Sequence, residues 1–146
     1  MARLSKHGME IERFETLKRR YSVRSDETVL VDSGGGWKLA RLKPGITAQQ
    51  YLDGVKSKRE QMIATRPAFW AYRNAVIAEF PSLEKRLMFL SMASYLGDDL
   101  DGLWSELDDA GMNTDLDTLQ ELARLKDDAK RERESLKDAP AELAEA

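Results

Sequence analysis

Glu27-Thr28-Val29-Leu30-Val31-Asp32-Ser33-Gly34-Gly35-Gly36-Trp37-Lys38-Leu39-Ala40-Arg41-Leu42-Lys43-Pro44-Gly45 is the stretch that decides the fold. Val29 and Val31 alternate with their neighbours as residues on one face of a strand do. Asp32 to Gly36 tolerates positive φ at several places, as a hairpin loop requires. Trp37 and Leu39 then share a face of the next strand, with Lys38 directed to the other. Pro44-Gly45 cannot continue a ladder and ends the sheet. A lone hairpin is marginal in water, so its apolar face is expected to pack on helices. Trp37 becomes a core plug in that arrangement, and Trp37→Ala would cost roughly 3–5 kcal/mol if the ring is fully buried. The face carrying Lys38 is left as the functional one.

Towards the N-terminus, Arg24-Ser25-Asp26-Glu27 supplies turn formers. Tyr21 and Val23 alternate with Arg20, Ser22 and Arg24, the period of a half-buried strand. Ile11, Phe14 and Leu17 fall three apart, which suits a helix turn as well as a bulged strand. Residues 9–18 are therefore strand or helix, and a strand is favoured because the neighbouring strands need a partner. Residues 1–8 are short, basic and aperiodic, as expected of a partly ordered arm.

Towards the C-terminus, Thr47 and Gln50 form a capping-box pattern before Tyr51 and Leu52. Tyr51, Val55 and Met62 make that helix's apolar stripe. Arg66-Pro67 ends it, and Pro67 suits the first turn of the next helix. Phe69, Tyr72, Val76 and Phe80 repeat at helical spacing, and Phe80-Pro81 repeats the break. A third helix, roughly 82–96, carries Leu83, Leu87, Leu90 and Ser94 and is the most apolar element. Gly97 ends it. Leu100, Leu103, Trp104 and Leu107 mark a short helix closed by Gly111. Thr114, with Asp117, caps a last helix whose stripe is Leu116, Leu119, Leu122 and Ala123. Beyond Leu125 the stripe fades into charge, which predicts a solvated, projecting end. The expected fold is α+β, a small N-terminal antiparallel meander of three to four strands packed on about five helices. It forms a single domain over residues 1–138, with the sheet in 9–45, helices in 46–137 and a flexible tail at 139–146.

The 146 residues suit one domain, and 34% of them are charged, above the ordinary quarter. The absence of cysteine excludes disulfides and thiolate chemistry. No apolar run approaches a membrane span or a signal-peptide core, so a soluble cytoplasmic protein is expected. The net charge of -3 hides a segregation. Residues 1–46 carry ten Lys/Arg against six Asp/Glu, whereas residues 96–146 carry six against sixteen. Such asymmetry suits a partner with its own field, or simply solvated helices.

Catalytic patterns are weak. The glycine run lacks the lysine and hydroxyl that would follow in a phosphate loop. Around Asp98, Asp99 and Asp101 an EF-hand register puts Gly97 and Asp108 at its first and twelfth positions, where strong carboxylate ligands belong. Helix capping explains these aspartates better. His7 is the only histidine, and no nucleophile elbow accompanies it. Adjacent carboxylates such as Asp108 and Asp109 point about 100° apart on a helix. No enzyme, cofactor or metal site is therefore expected. Lys18, Arg19, Arg20 and Arg24 with Lys38, Arg41 and Lys43 form a candidate cationic face for nucleic acid. Its weakness is that the aromatic residues beside it are all needed in the core. Asp98, Asp99, Asp101, Asp108 and Asp109 form a candidate acidic partner surface, which would also suit an inhibitor imitating nucleic acid.

Leu4-Ser5-Lys6-His7-Gly8, the Ser25-Asp26 turn with Thr28-Val29-Leu30-Val31, and Gly36-Trp37-Lys38-Leu39 with Lys43-Pro44-Gly45 carry a resemblance. They resemble the N-terminal region of small uncharacterised proteins of bacterial plasmids and integrative mobile elements. The resemblance spans about the first third of the chain, implies an accessory role in such an element, and brings no catalytic residue. The resulting expectation is a non-enzymatic protein that binds another macromolecule, most simply a protein, with nucleic-acid binding as the alternative.

Overall fold

The computed structural model describes residues 7–138, so most of the expected arm and the 139–146 tail lie outside the described residues. The fold is α+β. A four-stranded antiparallel sheet is followed by five helices among the described residues. The chain divides into two compact units, Met1–Gln61 and Met62–Ala146.

In the first unit β1 (Glu10–Glu15), β2 (Arg20–Arg24), β3 (Val29–Asp32) and β4 (Trp37–Leu39) pair in sequence order. Within residues 9–18, Leu17 and Lys18 lie in the bend that follows the strand Glu10–Glu15, which has an irregularity between Glu10 and Glu12. That extra residue accounts for the three-residue spacing of Ile11 and Phe14 in an otherwise period-two segment. The sheet's apolar face packs on the start of α1 (Ala48–Thr65). Val23 and Val29 meet Ala48 and Leu52, flanked by Phe14, Tyr21 and Tyr51. Phe14 stacks on Tyr21 with ring centroids 4.8 Å apart. The capping box forms as expected. Thr47 N donates to Gln50 Oε1 at 2.9 Å, and Gln50 N donates to Thr47 Oγ1 at 3.1 Å.

The register of the central hairpin overturns one expectation. Asp32 pairs with Trp37, Val31 with Lys38 and Leu30 with Leu39. Directly opposed residues share a face, so Lys38 lies on the side of Val31, Tyr21 and the helix. Trp37 and Leu39 lie on the other side, and Leu39 is exposed. Trp37 is therefore not a core plug, and Lys38 does not mark the free face. The loop fixes this outcome. With Ser33 to Gly36 between the paired residues, Val31 and Trp37 fall on opposite faces, because each step along a strand reverses the side.

The second unit holds α2 (Pro67–Glu79), α3 (Leu83–Leu96), α4 (Leu100–Asp109) and α5 (Leu116–Asp138). Leu103, Leu107, Met112, Leu119 and Leu122 are buried there. Three features differ from expectation. The buried face of α3 is Leu83, Arg86, Phe89 and Ala93, while Tyr95 is 66% exposed. Arg86 is completely buried and donates from Nε to the Phe80 carbonyl at 3.2 Å, at the α2–α3 corner. Its long side chain satisfies a helix-end carbonyl that an apolar residue would leave bare. Asp115, not the buried Thr114, caps α5 by accepting from Thr118 N at 2.7 Å.

The far part of α5 is docked rather than merely solvated. Glu132 accepts from Ala68 N at 2.8 Å and from Phe69 N at 3.1 Å. Arg66 offers α2 no side-chain cap, so a carboxylate 64 residues away supplies one. Negative charge at a helix N-terminus is favoured by the dipole as well as by the two bonds.

Candidate interaction surface on the sheet

Strand alternation gathers Glu10, Arg13, Arg20, Ser22, Asp32 and Trp37 on the sheet face opposite α1. Asp32 anchors it. One carboxylate oxygen accepts from Arg20 Nη2 at 2.7 Å. The other accepts from the backbone of Gly34 at 2.8 Å and of Gly36 at 3.1 Å. Both glycines have positive φ, 113° and 97°, so the loop curls its amides towards the carboxylate. Burial pushes the Asp32 carboxyl up, but the bonds from Arg20, Gly34 and Gly36 outweigh it and hold the group below its ordinary value.

Neighbouring strands are about 4.8 Å apart, so β4 is roughly 10 Å from β2. The Trp37 ring nonetheless has the Arg20 guanidinium 5.3 Å and the Arg13 guanidinium 5.4 Å from its centroid. The indole and the two guanidinium groups therefore converge over the sheet, each contact worth about 0.5–1 kcal/mol at such exposure. The side chain of Arg13 is 50% exposed and that of Arg20 37%.

Glu10 closes the cluster. It accepts from Ser22 Oγ at 2.6 Å and from Arg13 Nε at 3.0 Å, and lies 3.8 Å from Arg24 Nη2. The Ser22 bond leads the effects that lower its carboxyl's affinity for protons, with burial opposing and Arg13 assisting. Arg24 is buried and also donates to the Gly8 carbonyl at 3.1 Å.

The candidate cations separate accordingly. Arg20 and Arg24 share this face with Arg13, which the sequence analysis did not select. Lys18 and Arg19 occupy the β1–β2 turn, Lys38 lies on the opposite face, and Arg41 and Lys43 are exposed beyond β4. No seven-residue cationic face is assembled. Arg13 carries no signal in its own segment. Its place beside Trp37 follows only from the four-strand register.

The five acidic candidates are all exposed and sit at the two ends of α4. Asp99 caps that helix, accepting from Gly102 N at 3.0 Å. Asp98 and Asp101 flank it, while Asp108 and Asp109 lie about 10 Å further along at 1.5 Å per residue.

Among the described residues no three His, Asp or Glu side chains converge to hold a metal ion. No helix there is long and apolar enough to cross a membrane. The arrangement on the sheet offers guanidinium donors, a partly covered indole and two anchored carboxylates, which is a binding chemistry. Comparisons with protein-family models, curated proteins and solved structures find no match to this chain.

Proposed function

We propose that this is a non-enzymatic interaction protein, acting in the cytoplasm, that docks another protein on the Arg13–Trp37–Arg20 face of its sheet. The observation that carries the proposal is the half-buried indole in contact with two partly exposed guanidinium groups. Tryptophan and arginine dominate interface energetics, and a pre-ordered pair costs little further entropy on binding. The same proposal includes the accessory role in a mobile element that the resemblance of the first third implies.

The test compares proteins retained from native lysate by wild type and by an Arg13→Ala/Trp37→Ala double variant of unchanged circular dichroism. One specific protein held by wild type and lost from the folded variant supports the proposal. Retention of the same set by both variants refutes it.

Trp37 also favours a second reading, nucleic-acid binding, because its ring is not consumed by the core and lies beside arginines. Against it, Glu10 and Asp32 already engage Arg13 and Arg20. A mobility shift that weakens with salt and vanishes in Arg13→Ala/Arg20→Ala/Arg41→Ala would replace the protein-docking proposal. No shift at low salt removes the second reading.

A further inference from the structure

A groove of about 860 Å³ lies wholly within residues 62–133, between α2, the end of α3 and the second half of α5. Its walls include Phe69, Tyr72, Ala93, Leu100, Ala123 and Ala129. The volume is that of a small-molecule site, and the lining is mainly carbon, as such sites are.

Tyr72 gives the groove its chemistry. The residue is 7% exposed, and its hydroxyl has no hydrogen-bond partner among the described residues. The ring is enclosed while the oxygen keeps access to the groove, the usual arrangement of an apolar body with a polar tip. Tyr72 bonds none of the wall residues, so its hydroxyl is a donor open to whatever fills the groove. Burial alone also pushes the phenol's proton affinity up, so it remains a donor at neutral pH.

Charge decides the sign of that occupant. Arg66, Lys126, Lys130 and Arg133 line the groove and form no ion pair among the described residues. Three carboxylates also line it. All three, Asp98, Asp127 and Glu132, keep their charge, with Glu132 held at the α2 amides, so the four cations exceed them by one. The balance favours an anion.

We propose that this groove binds an amphipathic organic carboxylate. Its carboxylate accepts from the Tyr72 hydroxyl within the field of the four cations, and its carbon skeleton lies on Phe69, Ala93, Leu100 and Ala123. The sheet face plays no part, so this proposal and the docking proposal fail separately.

The experiment is a titration of the full chain with sodium decanoate below its micellar concentration, followed by amide chemical shifts. Acetate and decyltrimethylammonium serve as probes of the head alone and of the tail with opposite charge. Saturable shifts at Phe69, Tyr72, Ala93, Leu100 and Ala123 with decanoate, and none with the other two probes, support the proposal. Tyr72→Phe should weaken decanoate about 3–10-fold, as loss of one net hydrogen bond does. Lys130→Gln/Arg133→Gln, at exposed positions that leave the fold intact, should weaken it about tenfold at low salt and less at high salt. Absence of saturation, equal binding of the cationic probe, or undiminished affinity in the Lys130/Arg133 variant would each overturn it.

Discussion

Asp32 joins the glycine loop to Arg20, and its removal tests whether one carboxylate organises the sheet face. Its side chain is 7% exposed and accepts one charge-assisted bond and two loop N–H bonds. The bond from Arg20 is worth about 1.5–3 kcal/mol and an ordinary net bond about 0.5–1.5 kcal/mol. The loop amides and Arg20 can regain water when the acceptor goes, so the low end applies and Asp32→Ala should cost about 2.5 kcal/mol. Asp32→Asn keeps an acceptor for the loop but loses the charge, for about 2 kcal/mol. Urea unfolding in a Trp70→Phe/Trp104→Phe background reads this unit through Trp37 alone.

The pH dependence has a definite sign. The folded carboxyl is held below its ordinary value of 3.8, so its stabilisation is fully present above that value. It is lost as pH falls further, through the folded value. Glu10 shifts the same way but is present in both proteins, so it cancels in the difference. The stability gap between wild type and Asp32→Asn should therefore be constant from pH 7 to 5 and shrink below about pH 4. A loss under 1 kcal/mol for Asp32→Ala, or a gap that widens on acidification, would refute the anchoring role.

Three further outcomes are expected. Trp37→Ala should cost about 1–2 kcal/mol by thermal melt, the sum of two cation–π contacts, rather than the larger cost of emptying a core site. Glu132→Ala should cost about 1–2 kcal/mol and speed hydrogen exchange at Ala68 and Phe69, and Arg66→Ser should restore part of the loss by supplying a local cap. Thr47→Ala should lower stability by about 1 kcal/mol, with Gln50→Ala adding less on top of it than alone, because the two bonds of the box close one turn together.

The candidate site was less legible in the sequence than the fold. Arg20 and Trp37 were each visible, but as members of different faces. Arg13 was overlooked, because nothing within five residues of it points to an indole on the fourth strand. Glu132 read as one charge in a solvated run, since the α2 amides it caps are more than sixty residues away. Tyr72 read as core, and it is core. That its hydroxyl opens into a groove depends on how three helices meet.

The sequence by itself determined what local chemistry controls. The α+β order, the loop glycines, the Thr47–Gln50 box and the breaks at Pro67, Pro81 and Gly97 all follow from φ preferences and orphan amides within one turn. Tertiary structure alone decided which way each side chain faces. The side taken by Trp37 depends on the parity of the register, where a slip of one residue reverses every position on the strand. The burial of Arg86 depends on a neighbouring helix end whose carbonyl needs a donor. These are pairings between distant segments, whose partners only the folded chain brings within reach.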